Sequence, residues 1–158
     1  MKIFVNVIMV GLMTLAGVSY FTKAARADAH VEKLEITSKD GKKHDFEIEI
    51  AATEIDREVG LMFREHMDAD HGMLFEMDSA EITRFWMKNT LIPLDMLFIG
   101  ADGTIKTIHE NAVPKSLDAV SSDVPVTGVL ELNGGRAKAL GIAAGDKVTH
   151  PFFGAAKK

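Results

Sequence analysis

Between residues 31 and 51 the chain alternates apolar and polar positions. Leu34 and Ile36, then Phe46, Ile48 and Ile50, recur at period two, with Glu47 and Glu49 between the later ones. That is the pattern of strands with one face buried. Asp40-Gly41 supplies the positive-φ chemistry of a connecting turn, so the stretch predicts a β-hairpin. The period changes over "TEIDREVGLMFREH". Thr53 with Asp56 three residues on is an N-cap signature, and Ile55, Val59 and Met62 share one helical stripe. On that helix Arg57 and Arg64 point in nearly the same direction. Gly60 inside it costs about 1 kcal/mol against Ala and so marks a close packing contact.

After a polar loop "MDADHG", three short strands are predicted in "MLFEM", "ITRFWM" and "LDMLFIG", with Pro93 forcing a turn or bulge between the last two. Asp102-Gly103 signals a second hairpin into "TIKTIHEN", and residues 112–124 have loop composition. "PVTGVLELN" reads as a strand, "RAKAL" as a short helix opened by Gly134-Gly135 and closed by Gly141, and "DKVTHPFF" as a last strand before a frayed "GAAKK" tail. The elements do not alternate as β-α-β. The expected class is α+β, mostly β: a small antiparallel barrel or half-barrel of about seven strands, with one packed helix and a second short helix.

Residues 1–27 read differently. Lys2 is a basic head, residues 3–21 are mostly apolar, and small-x-small sites end at Ala27 and Ala29, which is the anatomy of a signal peptide. The alternative is an uncleaved N-terminal anchor, since the apolar stretch approaches the length of a membrane span. Cleavage near Ala27 or Ala29 leaves 28–158 as a single globular domain, periplasmic or secreted, with membrane contact only if the segment is retained. Losing Lys2, Lys23 and Arg26 takes the formal charge from −5 to −8. An acidic balance argues against a nucleic-acid surface. The absence of cysteine removes disulfides, Cys-ligated zinc and lipoprotein-type lipid attachment.

The chemistry concentrates in "RFWMKNTLIPLDMLFIG", where Lys88, Asn89, Thr90 and Asp95 interrupt an apolar run. Buried polar groups need partners. In one reading Asn89, Thr90 and Asp95 cap backbone groups of a tight crossover, with a Lys88–Asp95 ion pair within easy reach. In the other they line the mouth of a pocket walled by Trp86 and Met87. Arg57 and Arg64 would add positive charge for a carboxylate or phosphate. Glu131, alone within "VLEL", is either an internal counter-ion or, on the face opposite Leu130 and Leu132, solvent-exposed; exposure is favoured.

Six of the nine methionines lie between positions 62 and 96, close to histidines. His66, Met67 and His71 are therefore candidate copper(I) ligands in an exported protein, against the alternative that methionine fills core gaps. A hydrolase reading would pair His109 with Ser121 or Ser122, but no motif fixes that geometry.

Taken in order, "REVGLMFREHM", "DHGMLFEM", "FWMKNTLIPLDMLFIGADGTI" and "VLELNGGRAKALGIAAGDKV" resemble the domain of unknown function 192 family, small bacterial and archaeal proteins that are often exported. The likeness runs from about Leu34 to about Val148. Arg57, Gly60, Leu61, Met62, Arg64, Gly72, Met73, Phe75, Trp86, Met87, Asn89, Thr90, Pro93, Leu94, Asp95, Glu131 and Gly145 all match the family pattern. His66 and Met67 fall where relatives usually carry other residues, which weakens the copper reading. The resemblance implies a compact β-rich domain and no established reaction. The expectation is an exported, non-catalytic binding module without a cofactor, for a small anionic ligand or a protein partner. A copper-handling protein and an uncharacterised hydrolase are the alternatives.

Overall fold

The structure is a computed structural model and describes residues 30–154. The expected leader or anchor over 1–27, its cleavage sites and the last residues of the tail lie outside the described residues.

Among the described residues nine strands and two short helices follow one another: β1 (Val31–Thr37), β2 (Lys43–Ala51), α1 (Glu54–Val59), β3 (His71–Glu81), β4 (Arg84–Phe85), β5 (Leu94–Ile99), β6 (Ile105–Ala112), β7 (Val120–Ser121), β8 (Val126–Asn133), α2 (Arg136–Leu140) and β9 (Lys147–Thr149). Seven strands form one sheet in the order β6-β5-β8-β3-β2-β1-β9, while β4 and β7 pair separately. The predicted hairpin is β1–β2, registered Leu34 to Phe46 and turned at Gly41, φ 85°. All pairs but one are antiparallel. The exception is β2–β3, which run parallel because the chain crosses over through α1 and a long loop between them.

The sheet curls until its two edges meet at one end. Ile105 N donates to Asp146 O (3.0 Å), Gly145 N to Ile105 O (2.8 Å) and Val148 N to Gly103 O (2.8 Å), joining the β5–β6 turn to β9. The result is a half-barrel, the closure that strand twist favours.

Both faces of the central strands are buried, so "LDMLFI" and "VTGVLEL" show no exposed alternation. One core fills the barrel with Leu34, Ile36, Phe46, Ile48, Leu74, Leu97, Leu130 and Leu132, capped by Ala137 of α2. The second lies on the outer face: Leu61, Met67, Met73, Phe75, Met77, Met87, Met96, Phe98 and Val129, roofed by the crossover loops. Each such side chain contributes about 1.5–3 kcal/mol on burial. Five of the clustered methionines are thus gap-filling core residues.

Two elements depart from the sequence expectation. The helix does not run through Met62: it stops at Gly60, whose φ 46°, ψ −134° leaves helical space, and Phe63 follows at φ 60°. Its expected core stripe faces outward, with Ile55 72% and Val59 52% exposed, while Leu61 beyond the helix end is buried. "ITRFWM" forms only the two-residue β4, which pairs with Val120–Ser121 inside the expected loop.

Candidate ligand-binding cleft

The crossover from β4 to β5 is shaped by a tight turn. Thr90 N donates to Met87 O (3.0 Å), and Asn89 between them sits at φ 57°, the type II geometry for which asparagine substitutes for glycine. That turn is tied to the one after α1, because Phe63 N donates to Asn89 O (2.9 Å) and Asn89 Nδ2 approaches the Met62 sulfur at 3.8 Å. Thr90 O and Ser116 O in turn accept from Lys115 N (3.1 Å) and Met87 N (3.0 Å). Met87 is buried, which leaves Trp86 on the surface beside it, half exposed, with Lys88 Nζ 4.9 Å from its ring centroid.

The two turns are the walls of a cleft of about 610 Å³. Val59 and Phe63 stand on one side and Phe85 and Trp86 on the other, over a floor that includes Leu61, Phe75, Met77, Thr90 and Glu131. Phe85 meets Phe75 edge-on at 5.0 Å, which stiffens that floor. Thr90 Oγ1 is held only by a long 3.5 Å contact to Lys88 O.

Glu131 is the unusual member. Its side chain leaves β8 on the outer face, opposite Met73 of β3 and Met96 of β5, and is 4% exposed. The expectation of solvent exposure fails because the crossover loops roof that face; the alternative of an internal counter-ion fails too, since no described residue hydrogen-bonds or ion-pairs with it. Burial alone pushes its carboxyl up to about 8.

The other expected site residues divide. Trp86, Lys88, Asn89, Thr90, Arg57 and Glu131 line the cleft, while Met87 packs beneath its wall. Asp95 does not join them. It is fully buried and accepts from Asn111 N (2.9 Å) and Gly135 N (2.8 Å) through Oδ1, and from Ala137 N (2.9 Å) through Oδ2, bracing the start of α2. The expected Lys88–Asp95 pair is not formed, since Lys88 is exposed over Trp86. Nor do the two arginines converge, because Gly60 ends the helix between them. Arg57 donates to Ala52 O (2.5 Å) and Glu76 O (2.8 Å) and lies 3.6 Å from Asp78. Arg64 clasps Glu49 with two nitrogens at 2.6 and 2.9 Å, away from the cleft.

The candidate copper ligands are also separated. Met67 is core, His66 is exposed beside Asp68 (3.1 Å), and His71 faces Glu47 (3.4 Å). Among the described residues no group of three or more His, Asp or Glu side chains is placed to hold a metal. Ser122 is buried and donates to Val124 O (2.7 Å), Ser121 accepts from Asp123 N (3.1 Å), and neither hydroxyl bonds to the exposed His109. Val59, Leu61, Phe63, Phe75, Met77 and Phe85 also line the cleft, none of them expected there from the sequence. The only sequence signal of the floor was a lone charge, Glu131, inside an uninterrupted apolar run.

A family model described as "Uncharacterized ACR", domain of unknown function 192, matches residues 35–150. The fold is similar to a solved structure from Sinorhizobium meliloti described as a candidate transcription regulator, with 46% identity and a TM-score of 0.78 over 79% of this chain and 97% of that one. It is also similar to a protein of unknown function from Novosphingobium aromaticivorans, with 38% identity and a TM-score of 0.76 over 79% and 89% of the two chains. No curated protein matches the chain significantly.

Proposed function

The chain belongs to the domain of unknown function 192 family, and from that premise we propose that it is an exported, non-catalytic binding module whose site is the cleft above Glu131. One observation carries the reading: apolar walls left open to solvent converge on a buried carboxyl that the protein itself does not satisfy. Concave apolar sites with a few convergent polar groups are what small-molecule binding uses. Thr90 shares the floor with Glu131, but its hydroxyl bonds to Lys88 O and not to the carboxyl, so the two are not paired as nucleophile and base, and binding without turnover is the simpler role. An anionic ligand held by paired arginines has lost its geometric basis, since Arg57 and Arg64 are engaged separately. The regulator description of the Sinorhizobium meliloti relative is not carried over, because a net charge of −5 offers no basic footprint for nucleic acid. Export rests on the leader-like residues 1–27. Among the described residues no helix is long and apolar enough to cross a membrane.

Trp86 is the chain's only tryptophan, so its fluorescence reports occupancy directly. Aromatic and aliphatic small molecules of each charge class should be titrated against wild type and Val59→Asp, which charges an exposed wall. A saturable fluorescence change, weakened in the variant, supports the reading. The absence of any saturable change across all classes contradicts it.

A further inference from the structure

We propose that the cleft receives a primary ammonium group carried on an apolar or aromatic body, with Glu131 as its counter-ion. The inference rests on the binding-module reading and names the ligand chemistry of the same site.

Three carboxyl side chains are buried among the described residues: Asp95, Asp146 and Glu131. Asp95 accepts three backbone N–H groups, and Asp146 accepts from Lys39 N (3.0 Å) and Ala143 N (2.8 Å). Both are occupied in bracing the chain. Glu131 braces nothing. Its neighbours across the sheet are Met73 and Met96, among which an aliphatic side chain would pack without penalty. A buried carboxyl that the fold neither needs nor satisfies, opening on a cleft, is matched by a partner from outside.

A carboxylate only accepts hydrogen bonds, so the partner must donate, and a cation restores the ionised form that burial suppresses. Phe63, Phe85 and Trp86 offer ring faces and edges along the path, and aromatic faces attract ammonium groups. The Trp86 ring already holds one, Lys88 Nζ, at the rim. An anionic head would meet Glu131 on a floor that also contains Leu61, Phe75 and Met77 but no cation. The charged groups bordering the cleft are Glu54, Arg57 and Glu58 from α1, and Arg84 and Lys88 from the β4 segment. β3 and β5 face Glu131 with Met73 and Met96. Binding exchanges the carboxyl proton for the ammonium, so one proton leaves to solvent per ligand bound wherever free Glu131 is protonated.

The test uses phenethylammonium, its neutral counterpart phenylethanol and the anionic phenylpropionate. N-acetyl-lysine methylamide serves as a separate arm for a lysine side chain. Binding is followed by Trp86 fluorescence and by calorimetry in two buffers of different ionisation enthalpy. Phenethylammonium is expected to bind about tenfold or more tighter than the alcohol or the carboxylate. Its affinity should rise about tenfold per pH unit from pH 6, level off above 8, and be accompanied by proton release. Glu131→Gln should abolish both the preference and the pH dependence, and the wild-type series stands without it. The lysine arm separates a free amine from a peptide side chain. If the alcohol or carboxylate binds as tightly and without pH dependence, the ammonium inference is overturned while the cleft reading survives. If no probe binds, both fall.

Discussion

Gly60 and Phe75 are so close that a Cβ placed on Gly60 would stand 3.1 Å from Cζ of the phenylalanine ring. The ring is buried and packed edge-on against Phe85, so a methyl at Gly60 must push against that packing. The backbone at Gly60 is also in a region that side chains rarely adopt. Gly60→Ala should therefore destabilise the protein by about 1–3 kcal/mol, read from the urea midpoint. A change within ~0.5 kcal/mol would show that this contact does not set the end of α1.

Asp95 is the structural counterpart. Removing its carboxylate strands Asn111, Gly135 and Ala137 N–H groups in a buried corner. Asp95→Ala should cost about 3–5 kcal/mol, at the upper end of what point substitutions do. Probe binding by whatever fraction stays folded should be unaltered. A loss below ~1 kcal/mol would mean that the three bonds are replaced by water.

Arg64 and Glu49 form a bidentate pair with both side chains mostly buried. A double-mutant cycle with alanine at each position should give a coupling of about 1–3 kcal/mol, larger than for an exposed pair. Cleft binding should not change in either single variant. A coupling near zero, or a loss of probe binding with Arg64→Ala, would return Arg64 to the ligand site.

Stability should depend on pH through Glu131. Its folded-state value is raised from 4.5 to about 8, so between those values the unfolded chain releases a proton that the native protein keeps. The Glu131 contribution to stability is then fullest below about pH 4.5, declines as pH rises toward 8 and stays at the lower level above it, a fall of order a few kcal/mol. Denaturant unfolding at stepped pH should show this decline, and Glu131→Gln should flatten it. Parallel profiles for the two proteins would exclude Glu131 as its source.

Much of the fold could be read from side-chain period. The β1–β2 hairpin declared itself because one face is polar, and Asp40-Gly41 and Gly141 marked their turns by backbone chemistry. The class and the half-barrel were legible on the same grounds. What misled was burial on both faces. In β8 alternation implies that Glu131 faces water, and only the roof of loops, a long-range arrangement, buries it. The α1 stripe failed for the converse reason: Ile55 and Val59 have helical spacing but meet no partner, since Gly60 turns the chain so that Leu61 does the packing. In the crossover, Asn89 and Thr90 were recognisable as turn residues and Asp95 as a backbone cap. That Asn89 also ties this turn to Phe63, bringing two distant walls together, depends on a contact that local pattern does not encode.

The most direct measurement is a carbon-13 NMR titration of glutamate side-chain carboxyls, with the Glu131 resonance assigned by its loss in Glu131→Gln. An unpaired carboxyl under the cleft should titrate near 8 in the free protein, far from the exposed glutamates. A midpoint close to 4.5 would mean that Glu131 is solvated or paired, and would contradict the site on which this account rests.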